Sequence, residues 1–470
     1  MILGYLDTKN PKETLKKIII FFYIYMIIEG MLRKWFLPFL NKEIYFLKDF
    51  FLIFIYLYAY KHNFLLKKKI SKFLIFLIIT SLIFGSIGYS FNKLDILSFI
   101  LGSRSYWLFA PLFLIIIHVC SFEDAKKFVR INLYFIFPYY ILVILQSYFP
   151  VDTFINSGYN FIVQTPDRPS AYFTYITQNT YYFLFLLSCF YSHSLNQTFI
   201  NKKKFIFLII LNFLLMGVMI LLKSRAAYVF GGAIIIYSLY ITLVTREELN
   251  LKIKKLLIIL IITPVSFGIN SSLFEDQYKK SVKRINTDTW QKTALITNSP
   301  SIQLNFPNIN LFNLNMLEIK SIRINLRDFC SRNSSVCRVI NEFYYITSIN
   351  NTSKFGEGIG AGTSVVTYIK KDKTFILGEA ENHRILGELG YLYGNMFILL
   401  KYLIVIYLNL IFLFTGRVRN KLFYFPLLVF VSVSFLIGPI TYTTSFISFI
   451  CWFSLGLLIS SFNKHDNKSY

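Results

Sequence analysis

Charged residues are scarce in this sequence of 470 residues. Asp, Glu, Lys and Arg make up 16% of it, whereas about a quarter of the residues in soluble proteins are charged. Hydrophobic residues reach 55%, and they come in blocks close to the ~20 residues that cross a bilayer, such as 73–88 and 205–222. This pattern excludes an ordinary soluble core, which has shorter apolar runs, and predicts an all-α integral membrane protein.

Cysteine is rare as well, with five residues in the whole chain. Cys120, Cys189 and Cys451 lie in apolar blocks, where a thiol packs as a small hydrophobic group. Cys330 and Cys337 lie in a polar stretch, where they would suit a disulfide if that stretch is outside the cytoplasm. The sequence also lacks an Asp-x-Asp pair and any His, Cys and carboxylate cluster with metal-ligand spacing, so we predict no metal and no cofactor.

Acidic residues are half as numerous as basic ones, 24 against 49, which gives a formal net charge of +25. The lysines are concentrated in short connectors between apolar blocks, as at 67–69 and 202–204. This placement is typical of topology signals and differs from the continuous basic stripe of a nucleic-acid-binding protein. We therefore predict no nucleic acid partner, and we place these connectors and both termini on the cytoplasmic side.

About twelve apolar segments are predicted to span the membrane, with no cleavage site after the charged stretch 1–17 and no internal repeat. Residues 1–272 hold spans one to nine and an outer loop near 149–178. Residues 273–390 form one large extracytoplasmic loop, long enough to fold as a small cap, and residues 391–470 hold the last three spans and a cytoplasmic tail. The predicted spans are 18–37, 44–60, 70–89, 104–120, 129–148, 179–195, 205–222, 226–244, 256–272, 391–415, 422–438 and 440–461.

Basic residues on the predicted outer side are exceptions to the rule that lysine and arginine are concentrated on the cytoplasmic side. Such residues would need an anion as partner. Arginine is suited to phosphate there, because its planar fork binds two phosphate oxygens at once. The alternative is that each basic residue, Arg33 and Lys34 included, reaches lipid headgroups or pairs with a local acid such as Glu29. The other arginines on that side are Arg104, Arg168, Arg225 and Arg384.

Two more groups of residues stand at the end of the predicted outer loop. The glycines at positions 356, 358, 360 and 362 predict either a nest of backbone amides for a phosphate or a flexible turn. Glu381 and His383 follow, and Glu388 would share a helix face with Glu381. There Glu388 could orient a substrate or pair with Arg384, and a helix-capping or ion-pairing role is the alternative for all three.

Several short motifs resemble those of the bacterial O-antigen polymerase and O-antigen ligase superfamily, multispanning glycosyltransferases that use polyprenyl-pyrophosphate-linked sugars. The Lys-Ser-Arg-Ala-Ala stretch that begins at Lys223 is similar to the family's Ser-Arg-small turn. The stretch from Arg168 to Tyr175 is similar to its Arg-x-Ser-Gly-x-Phe segment. Residues 356–362 and 381–394 resemble the end of its large outer loop and the helix that follows.

The resemblance implies an enzyme of the bacterial inner membrane that acts on a lipid-linked glycan, with membrane lipids and a chain-length regulator or flippase as further partners. It also implies that arginines, in place of a metal, stabilise the departing pyrophosphate. An acceptor hydroxyl would give its proton to a base, with Glu381 as the first candidate and His383 as the second. The arginines assigned to the pyrophosphate are Arg225 and Arg168, with Arg104 and Arg384 in support.

Contacts to the glycan are predicted for residues near the same site, because aromatic rings stack on sugar faces and amides bind hydroxyls. Family ligases often have His-Asn where this sequence has Glu381 and Asn382, with His383 after them. This departure disfavours the ligase branch. The predicted glycan contacts are Tyr172, Tyr175, Gln178, Asn179 and Glu388.

We therefore expect a polymerase that joins glycan repeat units, and a ligase that moves the finished glycan to another acceptor would use the same chemistry. A transporter of a lipid-linked or anionic solute is a second class of protein, which the missing repeat and the single large insert disfavour. A structural protein that binds lipid headgroups is a third class.

Overall fold

A computed structural model of the protein consists of α-helices with short π-helical and 3-10-helical segments, joined by turns, and the residues that it describes contain no β-strand. Most of the predicted outer loop, with Cys330 and Cys337, lies outside those residues, so the disulfide stays a prediction. The structure describes residues 10–65, 69–92, 96–150, 153–157, 168–197, 202–245, 249–286, 354–362, 381–414, 420–437 and 445–461.

The helices follow the apolar blocks of the sequence, and every predicted span overlaps one helix or two in succession. Local signals mark where some of them begin. Ser121 and Asp124, for example, form a capping box, in which each side chain binds the other residue's backbone N–H. The helices are α1 (Pro11–Met31), α2 (Asn41–Lys61), α3 (Lys69–Asn92), α4 (Ile96–Trp107), α5 (Ala110–Val119), α6 (Phe122–Tyr148), α7 (Ile176–Leu195), α8 (Lys202–Leu221), α9 (Arg225–Val244), α10 (Leu249–Leu257), α11 (Thr263–Leu273), α12 (Glu275–Asn286), α13 (Glu381–Phe414), α14 (Lys421–Leu436) and α15 (Ser445–Ser460).

Within the described residues, seven helical stretches are long and apolar enough to cross a membrane. Helices at the edge of the bundle expose large apolar side chains, among them Ile236 in α9 and Tyr407 in α13, each 65% exposed. Such surfaces face lipid tails when a bundle lies in a bilayer. These features indicate a membrane-embedded helical bundle, while the number of twelve spans remains a prediction. The seven stretches are Ile70–Ile87, Ile96–Val119, Phe122–Tyr148, Lys202–Leu221, Arg225–Val244, Leu249–Leu273 and Glu381–Phe414.

Helices α7, α14 and α15 form the centre of the bundle, and almost all of their side chains are buried. α15 packs along α5, and α14 packs along α7, α9 and α13. α1 joins this centre through aromatic rings, since the ring of Tyr23 lies 4.9 Å from that of Phe453. The two 16-residue helices near the C-terminus are therefore internal elements of the fold.

Helix α13 is broken at Gly390, whose backbone (φ 76°, ψ 171°) is not helical. The part before the break, residues 381–389, folds back along the part after it. Asn382 accordingly donates a hydrogen bond to the hydroxyl of Tyr402 at 3.0 Å. We call residues 381–389 the re-entrant helix. The predicted outer loop included these residues, and the predicted span 391–415 begins directly after the break.

Residues 354–362, which we call the glycine turn, dock against the broken end of the re-entrant helix. The N–H groups of Glu357 and Gly358 donate to the carbonyl oxygens of Gly387 and Glu388, at 2.7 and 3.0 Å. These carbonyls are among the last of the re-entrant helix and would otherwise lack partners. The glycine turn therefore caps a helix that ends inside the protein.

The close approach of the glycine turn to Gly390 predicts that Gly390→Ala destabilises the fold. A Cβ at this position would lie 2.4 Å from the backbone nitrogen of Gly356, and the Gly390 conformation is nearly restricted to glycine and costs other residues about 1–3 kcal/mol. Thermal unfolding of the purified protein in detergent, followed by fluorescence, should show a lower midpoint.

Gly232→Ala in α9 is the matched control, because a Cβ there meets no atom within 4 Å. Alanine favours a helix over glycine by about 0.5–1 kcal/mol, so this variant should unfold at the wild-type midpoint or above it. Equal losses in both variants would contradict the assigned role of Gly390.

Candidate functional site

The turn between α8 and α9 brings together basic residues from two distant segments. Lys223 has a left-handed backbone (φ 49°) and a buried side chain, Ser224 is the N-cap residue, and α9 begins at Arg225. Arg168 approaches from the loop before α7, and its Nε donates to the carbonyl oxygen of Leu222 at 3.5 Å. Both arginines are partly exposed. We call Arg168, Lys223, Arg225 and the start of α9 the α9 cation cluster.

The α9 cation cluster has the electrostatics of an anion site. The first turn of a helix carries N–H groups without intrahelical partners and about half a positive charge, and α9 is 20 residues long. Two guanidinium groups and an ammonium group add to this field. The hydroxyls of Thr180 and Ser224 lie 3.4 Å apart beside it. Phosphate oxygens are suited to such a combination of charge and N–H donors.

The loop that carries Arg168 is held in place by Lys34, directly after α1. The buried ammonium of Lys34 donates to the Oγ of Ser170 and to the carbonyl oxygens of Ala171 and Phe173, at 2.9–3.1 Å. These bonds use all three of its N–H donors. Gly30 permits the approach, because a Cβ there would lie 2.1 Å from a carbonyl oxygen of the loop. Lys34 therefore positions the loop that carries Arg168, although the two residues are more than a hundred positions apart in the sequence.

Three of the four glycan contacts predicted in this region are buried. Asn179 donates to a carbonyl oxygen of the loop at 2.8 Å and accepts from a tyrosine hydroxyl of α6. Gln178 and Tyr172 are likewise buried, and Tyr175 is 46% exposed. Asn179 thus shapes the loop, and Tyr175 is the member of this set best placed to meet a ligand.

Arg104 lies in a second ionic cluster, where α1, α2 and α4 meet. Its guanidinium donates to both carboxylate oxygens of Asp49, one of them at 2.8 Å. In the same region the Glu29 carboxylate accepts from Arg33 at 3.1 Å and from Lys48 at 2.8 Å. The ion pair of Arg33 with Glu29, one of the alternatives that the sequence left open, is thus confirmed. Asp49 and Lys48 were missed, because nothing local in the apolar stretch around them indicates a partner.

Arg384 lies on the re-entrant helix and binds Glu388 on the same helix. Its Nη1 donates to one Glu388 oxygen at 3.0 Å, the hydroxyl of Tyr106 donates to the same oxygen at 2.7 Å, and the N–H of Gly362 donates to the other at 2.9 Å. Arg384 and Glu388 are 2% and 0% exposed. The predicted pairing of Arg384 with Glu388 is therefore confirmed. The glycine turn does present an amide to an anion, and that anion is a carboxylate of the protein itself.

The two candidate bases lie in the first turn of the re-entrant helix. Glu381 is buried, with a carboxylate oxygen 3.7 Å from the Nζ of Lys401, which also donates to the amide oxygen of Asn382 at 3.2 Å. His383 is partly buried. Lys401 stands about 16 Å along the helix from Gly390. A single lysine in the middle of a predicted span is a signal of function, and Lys401 was not among the predicted site residues.

The structure brings Arg168 and Arg225 to one turn, and it gives Arg104 and Arg384 carboxylate partners of their own. Among the described residues, no three His, Cys, Asp or Glu side chains are grouped as a metal site would require. The chain matches no protein-family model, no curated protein and no solved structure. Function must therefore be inferred from the residues of these clusters.

The buried Arg384–Glu388 pair predicts that Glu388→Gln is strongly destabilising, by about 3–5 kcal/mol. The variant would leave the Arg384 guanidinium buried without a carboxylate, and would remove the anion that Tyr106 and Gly362 bind. Thermal unfolding of the purified protein in detergent measures the loss.

Glu123→Gln serves as the control, because Glu123 pairs with Lys126 on the surface of α6 and exposed pairs contribute little. The double variant Arg384→Gln/Glu388→Gln should recover part of the stability, since no buried charge then lacks its partner. A double variant less stable than Glu388→Gln would contradict the assignment.

Proposed function

We propose that the protein is a glycan polymerase that joins polyprenyl-pyrophosphate-linked oligosaccharide repeat units at the outer face of a bacterial inner membrane. Its products would be O-antigen, capsule or exopolysaccharide chains. The proposal includes about twelve spans, both termini in the cytoplasm and the α9 cation cluster on the outer side. The observation that supports it best is the meeting of Arg168 with the turn that carries Lys223 and Arg225.

The position of this cluster suits a lipid-linked phosphate. α8 and α9 are each long and apolar enough to cross a membrane, and the basic residues of the α9 cation cluster lie at the turn that joins them. A lipid-linked substrate likewise has an apolar part and a charged part. Its isoprenoid chain lies among lipid tails, while its pyrophosphate remains in the headgroup layer. The cluster would therefore bind the charged part of a substrate whose apolar part stays in the bilayer.

In the proposed reaction, a hydroxyl of one glycan attacks the anomeric carbon of the sugar that is linked to pyrophosphate. A bond forms between the anomeric carbon and the attacking oxygen, and the bond to the pyrophosphate oxygen breaks. Arg168 and Arg225 stabilise the negative charge that grows on the leaving group. The hydroxyl proton passes to a base, for which Glu381 remains the first candidate and His383 the second.

In this proposal Arg104 and Arg384 do not bind the pyrophosphate, although the sequence predicted that role for both. Each forms an ion pair with a carboxylate of the protein, and that carboxylate neutralises most of the charge of the arginine. They would act as positioning residues, Arg384 by fixing the re-entrant helix that carries Glu381 and His383. The pyrophosphate is therefore assigned to Arg168 and Arg225 with Lys223 beside them.

A transporter of a lipid-linked or anionic solute is the second candidate, and one observation favours it. Broken helices with charged residues near the middle of the bundle are typical of transporters, and the re-entrant helix brings Glu381 to Lys401 in this way. A ligase that transfers the finished glycan to another acceptor uses the same groups as a polymerase. These candidates differ in the product that is formed.

A reconstitution experiment separates the candidates. Purified protein in nanodiscs receives a polyprenyl-pyrophosphate oligosaccharide together with a chelator, and the products are analysed by mass spectrometry. Longer glycans and free polyprenyl pyrophosphate would support a polymerase, whereas transfer only to an added second acceptor would support a ligase. Movement of an unaltered substrate across proteoliposomes would support the transporter and contradict the proposal.

The proposed role of Arg225 predicts that Arg225→Lys lowers the turnover number about 100-fold. Lysine keeps the charge but cannot bind two phosphate oxygens with a planar fork. The rate of polyprenyl pyrophosphate release in the nanodisc assay measures the effect. Arg130→Lys, at an exposed position of α6, should leave the rate unchanged, and wild-type turnover in Arg225→Lys would argue against phosphate binding by this side chain.

A further inference from the structure

Helix α12 differs from the other helices in its charge pattern. Its sequence, Glu-Asp-Gln-Tyr-Lys-Lys-Ser-Val-Lys-Arg-Ile-Asn, has acidic residues in the first turn and basic residues after it. The acids stand where the positive end of the helix dipole stabilises them. Gln277 and Ser281 are four positions apart, share a helix face and are buried, whereas Lys279 and Lys280 are exposed. α12 therefore has one buried face and one exposed face that carries Lys279 and Lys280.

The other face of α12 is bound to the ends of two apolar helices. The amide of Gln277 donates to the carbonyl oxygen of Ser147, near the end of α6, at 3.5 Å. The hydroxyl of Ser281 donates to the carbonyl oxygen of Ile220, near the end of α8, at 3.1 Å. Both side chains are buried. α12 thus lies across the ends of α6 and α8, where carbonyl groups lack helical partners.

The polar face of α12 is open. Lys279 and Lys280 are exposed, and Lys279 also pairs with Glu275 at 2.5 Å. Within the described residues, no acidic side chain forms an ion pair with Lys280. The adjoining surface is apolar, since Tyr148 at the end of α6 and Leu273 at the end of α11 are 55% and 61% exposed. A border between an exposed apolar surface and exposed lysines marks the level of lipid headgroups.

We propose that α12 lies in the headgroup layer of the membrane and binds anionic phospholipid headgroups through the face that carries Lys279 and Lys280. Basic amphipathic helices bind such surfaces by combining apolar burial with attraction to anionic lipids. The inference does not depend on the proposed enzyme activity. Because Ser281 holds Ile220, three residues before Lys223, the lipid-bound helix also fixes the α9 cation cluster at the depth of the headgroups.

The test measures how anionic lipid stabilises the full-length protein. Purified protein in a neutral detergent is titrated with phosphatidylglycerol, and thermal unfolding reports binding, since a ligand that prefers the folded state raises the midpoint. The wild type should be stabilised by phosphatidylglycerol and not by phosphatidylcholine. Lys279→Gln/Lys280→Gln should need about 10–30 times more phosphatidylglycerol for the same effect.

Two control variants make the result specific to α12. Lys279→Arg/Lys280→Arg keeps both charges and should respond as the wild type does, which separates loss of charge from loss of folding. Lys202→Gln/Lys203→Gln removes two exposed lysines at the opposite end of α8 and should also keep the wild-type response. An unchanged response in Lys279→Gln/Lys280→Gln, or an equal loss in the α8 variant, would overturn the proposal.

Inorganic phosphate distinguishes a lipid surface from a free anion. At the same phosphate concentration as the lipid, it should leave the unfolding midpoint of the wild type unchanged. If inorganic phosphate alone reproduces the stabilisation, the lysines bind a soluble anion and the assignment to lipid headgroups is overturned.

Discussion

The carboxylate of Glu388 joins parts of the chain that are far apart in sequence. It accepts hydrogen bonds from Arg384 on its own helix, from Tyr106 in α4 and from the backbone of Gly362 in the glycine turn. A bundle of apolar helices gives a buried charge no water to bind, so every donor and acceptor must find a partner within the protein. At the end of the re-entrant helix where the glycine turn docks, the carbonyl groups and the Glu388 carboxylate meet this requirement.

The same constraint explains the ionic cluster around Arg104 and the bonds of Lys34. Arg104 is balanced by Asp49, whereas Lys34 is surrounded by neutral oxygen atoms. Most cations that the sequence places among apolar segments are thus part of the architecture. The α9 cation cluster differs, because two arginines from distant segments meet at the turn where a long helix begins.

The sequence predicted the helices and the charge pairs within one helical turn, and it did not predict the charge pairs between helices. Apolar blocks determine where α3, α6, α8 and α9 lie, because a long apolar run can only satisfy its backbone as a helix in lipid. The partner of Arg104 could not be predicted in the same way. Asp49 precedes Arg104 by more than fifty residues, so their contact depends on how α2 and α4 pack. Arg384 and Glu388 could be paired from sequence because four residues make one helical turn.

The three hydrogen bonds of Lys34 to residues 170–173 tie the end of α1 to the loop before α7. These two pieces must shift as one body, because separating them would strip a buried ammonium of all its acceptors. Any movement that widens the space beside Arg168 would therefore have to carry the end of α1 along with the loop.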